Sequence, residues 1–152
     1  MDITNAEIVY RVLITLLFSA ILGYEREHVK RPAGLRTHML IGVGATLITL
    51  TSLSFPEQSE PMRLASGIIT GIGFLGAGTI FRDENKVRGL TTAASLWATA
   101  GLGIATGVGH YFLAFVGFVA IFFILELRTI SDVLYREEER FLNRRKKDKK
   151  AK

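Results

Sequence analysis

The sequence contains no cysteine among its 152 residues. Disulfide bonds, thiolate metal sites and cysteine nucleophiles are therefore excluded. The sequence also lacks a serine in a G-x-S-x-G turn, a P-loop lysine behind a glycine-rich loop, and an H-E-x-x-H pair. His28, His38 and His110 are not spaced like zinc ligands. We expect no enzymatic activity and no histidine metal site.

Positive charge is concentrated near the C-terminus. Of nineteen Lys and Arg residues, ten lie from Arg128 onward. Such a segment can bind nucleic acid, but beside long apolar segments it is typical of a tail attracted to anionic lipid. Ile130, Leu134 and Phe141 recur within it at helical spacing. We therefore expect residues 128–152 to form a cytoplasmic, basic amphipathic helix at the membrane surface, with no nucleic-acid partner.

Five apolar segments occupy most of the remaining chain, and 49% of all residues are hydrophobic. A helix needs roughly 17 to 25 residues to cross hydrocarbon, and lipid offers no partner for unpaired backbone groups. The sequence therefore predicts an all-α, polytopic membrane protein in which residues 1–127 form the transmembrane domain. The predicted spans are about 8–23, 35–54, 62–81, 90–107 and 111–127.

The first span carries Arg11 close to its start. Glu7 lies four residues earlier and can share its helix face, and a long arginine side chain can reach the membrane interface. Asp2 and Glu7 stand where a cleaved leader has basic residues, and no A-x-A site follows the apolar run. We expect this span to be retained.

The positions of the basic residues predict an orientation for the spans, because short basic loops stay in the cytoplasm. The loops after the first and third spans and the C-terminal tail hold seventeen of the nineteen Lys and Arg residues. Five spans place all seventeen on one side of the membrane, whereas four do not. We expect the N-terminus outside and the C-terminus in the cytoplasm.

Residues 71–78 read GIGFLGAG and contain the string G-x-G-x-x-G. A dinucleotide loop is disfavoured, because these glycines lie inside an apolar segment without flanking strand and turn signals. Two interpretations remain open. The glycines either let the third span pack closely against the fourth, or they break the helix around a polar cavity.

The third and fourth spans contain residues that favour each of these interpretations. Residues with small side chains recur four apart, which favours close helix packing. These pairs are Gly67 with Gly71, Gly73 with Ala77, Ala94 with Ala98, Gly101 with Ala105, and Gly103 with Gly107. The polar cavity is instead favoured by hydroxyl groups near one face of the fourth span, at Thr92, Ser95, Thr99 and Thr106.

Charged residues concentrate in segments 23–38 and 81–92. A hard cation such as magnesium takes several oxygen ligands, so Glu25 and Asp83 are candidate metal ligands and magnesium is a possible cofactor. Ordinary solvated loop charge is the competing interpretation. A carboxylate at Glu25 that is shielded from water needs a cationic partner such as Arg36 or Arg88.

Four motifs occur in order along the chain: GYERE at 23–27, PAGLRTH at 32–38, GIGFLGAGTI at 71–80 and VRGLTTAASLWATAGLGIATGVG at 87–109. Together they closely resemble the MgtC/SapB family of bacterial inner-membrane proteins. The chain is similar to the short, SapB-like form, without the soluble C-terminal domain of longer members. Gly67 stands where the family is expected to carry an amide side chain.

The resemblance implies a membrane protein without catalytic activity, associated in some relatives with growth in low magnesium and with virulence. The family's characteristic positions fall on residues of all four motifs. They are Glu25, Arg26, Gly34, Leu35, Arg36, Thr37, His38, Gly71, Gly73, Gly76, Gly78, Arg88, Gly89, Thr91, Thr92 and Trp97.

Two functions are compatible with these features. The first is a regulatory or adaptor protein that contacts another membrane complex or a second copy of itself. The alternative is an ion channel or carrier, built as a homodimer, with a polar path near Glu25, Asp83 and the Thr92, Ser95 and Thr99 face.

Overall fold

The computed structural model describes residues 3–54, 61–83 and 86–127, and these form five α-helices and one short β-ribbon. The predicted all-α class is confirmed. The helices are α1 (Asn5–His28), α2 (Leu35–Ser54), α3 (Pro61–Ala77), α4 (Leu90–Val108) and α5 (Tyr111–Leu127). The predicted amphipathic helix at 128–152 lies outside the described residues.

The first helix is longer than the span predicted from its apolar residues. The Thr4 hydroxyl caps its N-terminus by accepting a hydrogen bond from the backbone N–H of Glu7 at 3.3 Å. At the other end, α1 continues past Gly23 and carries Glu25 and Arg26 inside the helix. Residues 23–28, expected to belong to a loop, are therefore helical.

The predicted end of the third span at residue 81 is wrong. α3 ends at Ala77, where the N–H groups of Thr79 and Ile80 bond to the carbonyls of Gly76 and Ala77, both at 3.0 Å. The chain then forms an antiparallel ribbon of β1 (Phe81–Asp83) and β2 (Lys86–Arg88). The predicted span was too long because Ile80 and Phe81 are apolar, and a short apolar run does not distinguish a strand from a helix.

A glycine closes this ribbon. Gly89 follows β2 with a φ of +90°, a conformation that side chains disfavour. A Cβ at this position would also collide with the carbonyl oxygen of Thr79. The positive φ and the close approach together explain why a glycine stands immediately before α4.

The chain divides into two units, Met1–Phe118 and Val119–Lys152, and all contacts below belong to the first. Within it, α2 packs against α1 and α4, and α3 packs mainly against α4. A small apolar core joins α2, α3 and α4 to the loop before α2. Its buried members are Ala33, Ile41, Ala45, Ile68, Leu96 and Ala100.

The distribution of polar and apolar side chains is the reverse of that in a soluble protein. Large apolar side chains lie on the surface, for example Leu40 at 74%, Phe74 at 82% and Phe112 at 81% exposure. Thirteen polar or charged residues are buried inside. Such a distribution is typical of helices whose outer faces contact lipid.

Two of the described helices, α1 and α2, are long and apolar enough to cross a membrane. Two shorter apolar helices, Ala65–Ala77 within α3 and Tyr111–Leu127, accompany them. The count of five spans stays a prediction.

Candidate functional site

The buried polar side chains form one feature, here called the polar seam, where α1, α2 and α4 meet. The seam has an arginine at one end, an ion pair and a histidine at the other, and hydroxyl groups between them. Its members are Arg11, Thr15, Ser19, Glu25, Arg26, His38, Thr46, Thr49, Ser52, Thr92, Ser95, Thr99 and Thr106.

Arg11 connects the start of α1 to the end of α4. Its Nη1 donates to the carbonyl oxygen of Gly107 at 2.6 Å, and its Nη2 pairs with Glu7 one turn earlier. The expected sharing of a helix face by Glu7 and Arg11 is confirmed. The positive guanidinium lies beside Gly109, the C-cap of α4, where the helix dipole favours a cation.

Threonine hydroxyls connect the helices in the middle of the seam. The Oγ1 atoms of Thr15 and Thr46 are 2.8 Å apart, and Thr46 also lies 3.0 Å from the carbonyl oxygen of Gly103. α1, α2 and α4 therefore meet at one side chain. In lipid, such interhelical hydrogen bonds stabilise packing that the hydrophobic effect does not drive.

Glycines allow the backbones to approach at the same level. A Cβ on Gly103 would collide with the carbonyl oxygen of Gly42, and a Cβ on Gly107 would lie 2.7 Å from that of Thr49. A Cβ on Gly42 would lie 3.1 Å from Oγ of Ser19. Gly103 and Gly107 of α4 therefore pack against α2, whereas the predicted packing of the third span against the fourth is made at Gly76 and Ala93.

The glycines of α3 have a different environment. Gly67, Gly71 and Gly73 lie in a regular helix, and a Cβ added at any of them would meet no atom within 4 Å. Only Gly76 among the helical glycines of α3 faces α4, where its Cβ position is 3.5 Å from Ala93. The broken-helix interpretation is thus wrong for this segment, and most of the glycine face of α3 is open.

Glu25 and Arg26 form a buried ion pair near the end of α1. Both carboxylate oxygens of Glu25 accept hydrogen bonds from Nε and Nη2 of Arg26, and the two residues are 8% and 1% exposed. The expected partners Arg36 and Arg88 are instead exposed. Neighbouring residues pair here because the long arginine side chain can fold back, which leaves neither buried charge alone.

His38 is the second polar contact at this end. Its ring is fully buried, with Nδ1 at 2.9 Å from the carbonyl oxygen of Gly34 and Nε2 at 3.1 Å from Oγ of Ser95. The imidazole therefore connects the first turns of α2 and α4.

The hydroxyls of α4 face the seam as the sequence indicated, but their protons are directed to the helix backbone. Ser95, Thr99 and Thr106 each donate to a carbonyl three or four residues earlier, at 2.8 Å. This back-bonding is common for Ser and Thr in membrane helices.

Of the predicted site residues, the structure brings Glu25, Arg26, His38 and Thr92 into the seam. Others of that set are exposed on the surface: Arg36, Thr37, Gly71, Gly73, Gly78, Arg88, Thr91 and Trp97. Gly76 is buried against α4. Asp83 lies in β1, but its side chain is outside the described set, so a metal site shared with Glu25 stays a prediction. The described residues include no group of three potential His, Asp or Glu ligands.

Sequence reasoning missed the contribution of α1 and α2 to the seam, notably Thr15, Ser19, Thr46 and Thr49. A signal was present, since Arg11, Thr15 and Ser19 follow one another at intervals of four residues and thus line one helix face.

Together, the all-α fold, the apolar exterior and the buried polar seam are typical of a helical membrane protein. The MgtC family matches residues 12–132, and the chain belongs to this family. The expected family is thereby confirmed.

Three relatives show the extent of the similarity. Protein MgtC of Salmonella typhimurium is 45% identical over 103 residues, which are 68% of this chain and 44% of that protein. Protein SapB of Bacillus subtilis is 40% identical over 131 residues, 80% of this chain and 56% of the relative. The putative magnesium transporter YhiD of Escherichia coli is 38% identical over 131 residues, which are 81% of this chain and 61% of that protein.

The chain therefore spans about half the length of the curated relatives it matches. No solved structure matches it.

Proposed function

We propose that this chain is a multi-pass protein of the bacterial inner membrane that acts as a regulatory or adaptor factor in adaptation to low magnesium. The relative from Escherichia coli is named as a putative magnesium transporter, which supports the link to magnesium. The orientation proposed from the basic residues places the N-terminus outside and the C-terminus in the cytoplasm.

The observation that carries the adaptor role is the open glycine face of α3. Gly67 and Gly71 are four residues apart, and both are exposed with no neighbouring atom at their Cβ positions. Small residues at this spacing let a second transmembrane helix approach closely. The proposed occupant is a helix of a partner membrane protein.

A growth experiment tests this proposal. In a strain that lacks its own family member, the chain should support growth in low magnesium. Gly71→Leu should remove this support, because the larger side chain blocks close helix approach. Gly44→Leu on α2 is the matched control, since Gly44 also has nothing within 4 Å of its Cβ position.

The protein level and helical circular dichroism of both variants should equal those of the wild type. Growth of the Gly71→Leu strain at the wild-type rate would sink the adaptor proposal.

A carrier is the second candidate, and the buried Glu25–Arg26 pair favours it, because ionisable residues inside membrane helices often mark ion pathways. Purified protein in liposomes should then give magnesium flux that falls sharply in Glu25→Gln. Wild-type protein that supports growth in cells but gives no flux for magnesium, potassium or protons contradicts the carrier.

A further inference from the structure

We propose that His38 and Ser95 form a proton-binding site buried between α2 and α4. The site is defined by the hydrogen-bond partners of the two ring nitrogens and requires no membrane partner.

The Gly34 carbonyl determines the position of one ring hydrogen of His38. A carbonyl oxygen only accepts hydrogen bonds, so Nδ1 of His38, at 2.9 Å from the carbonyl oxygen of Gly34, must carry a hydrogen. The nitrogen that gains or loses a proton is therefore Nε2, which faces Oγ of Ser95 at 3.1 Å.

The Ser95 hydroxyl has a single proton. Oγ of Ser95 lies 2.8 Å from the carbonyl oxygen of Thr92, which also only accepts. When the imidazole is neutral, the Ser95 hydroxyl proton can be donated either to Nε2 or to the Thr92 carbonyl, although both lie at hydrogen-bond distance. The Thr92 carbonyl also accepts a backbone N–H of α4, so Nε2 is the acceptor left without a hydrogen when the hydroxyl faces Thr92.

A bound proton resolves this competition. An imidazolium donates from Nδ1 to Gly34 and from Nε2 to Ser95, and the Ser95 hydroxyl donates to Thr92. Every donor then has an acceptor, and the change requires only that one hydroxyl group rotates. Protonation is thereby transmitted from α2 to the first turns of α4.

The charged groups nearest the imidazole are either paired with each other or exposed. From α1, Glu25 and Arg26 act electrostatically on the imidazole, and their own charges compensate each other. α4 contributes the uncharged Thr92 and Ser95, and Arg36 on α2 itself is exposed.

Nitrogen NMR of the full chain in lipid vesicles tests the site directly. Histidine labelled with ¹⁵N reports the protonation of each ring nitrogen, and the signals are assigned by their loss in His28→Gln, His38→Gln and His110→Gln. At high pH, His38 should carry its hydrogen on Nδ1 and have a bare Nε2. On acidification Nε2 should become protonated while the protein remains helical.

Two wild-type results overturn the proposal. One is a neutral His38 with its hydrogen on Nε2, and the other is a bare Nε2 at every pH at which the protein stays folded. Neither result depends on the folding of a variant.

A variant series then tests the role of Ser95. Ser95→Ala should lower the proton affinity of His38 about tenfold or more, because the imidazolium loses a hydrogen bond to a charged group. Ser95→Thr retains the hydroxyl and should behave like the wild type. Thr106→Val removes a buried hydroxyl of α4 that does not contact His38, so it should leave this affinity unchanged. An equal affinity in folded Ser95→Ala and wild-type protein contradicts the site.

Discussion

A single hydroxyl, that of Thr46, joins three helices, and it illustrates how this protein uses polar residues. The side chain is fully buried and approaches Thr15 on α1 and the Gly103 carbonyl on α4. In water, such a group would be a modest contributor to stability. Inside a bundle with an apolar exterior, removing it leaves two buried partners to find other hydrogen bonds.

Thr46→Val should therefore destabilise the protein by about 1 kcal/mol, within the range for buried and interhelical hydrogen bonds. Thr51→Val is the matched control, because Thr51 lies on the exposed side of the same helix and bonds only its own backbone, to Leu47 at 2.9 Å. Reversible denaturant unfolding in detergent measures both variants. Equal stability of the two variants would mean that Thr46 does not hold the helices together.

At the scale of helices, glycines select which elements pack closely. Gly103 and Gly101 occupy the same helix, two residues apart, and have opposite environments. A Cβ on Gly103 collides with the Gly42 carbonyl on α2, whereas a Cβ on Gly101 meets no atom within 4 Å.

Gly103→Ala should cost about 1 to 3 kcal/mol of stability, as overpacking of a close contact does. Gly101→Ala should be neutral or stabilise by up to about 1 kcal/mol, because alanine is the better helix former. Thermal unfolding in the same detergent compares them. A Gly103→Ala protein as stable as Gly101→Ala would show that the backbones of α2 and α4 are not in close contact.

The sequence was sufficient to locate the helices because apolar length determines where they lie. It did not show which small-residue faces meet, since the same spacing occurs on α3 and α4 and the choice depends on tertiary packing. The partner of Glu25 was missed for a related reason. Adjacent residues on a helix normally point apart, and a pair at Glu25 and Arg26 requires an arginine long enough to fold back.

The end of α3 was missed because the ribbon after it is also apolar at its start. Ile80 and Phe81 extend the hydropathy of the span, although they belong to the turn and to β1. Gly89 could have signalled the ribbon, since a glycine just before a helix often marks a backbone that only glycine adopts.

At the scale of the whole molecule, the seam is closely packed, whereas the glycine face of α3 is open. The seam holds α1, α2 and α4 together through interhelical hydrogen bonds of Arg11, Thr46 and His38 and through glycine contacts. α3 contacts this unit through Ile68 and Gly76, and a Cβ added at Gly67, Gly71 or Gly73 would meet no atom within 4 Å. We propose that α3 contacts a partner and that the seam stabilises the fold.

Site-specific crosslinking tests this assignment most directly, because the chain contains no cysteine and Gly71→Cys introduces a single thiol. The thiol is crosslinked in native membranes and compared with Gly44→Cys on α2. We expect a discrete adduct at Gly71 and none at Gly44, and the mass of the adduct distinguishes a different protein from a second copy. Equal crosslinking at both positions, or none at Gly71 in cells that grow in low magnesium, would contradict this assignment.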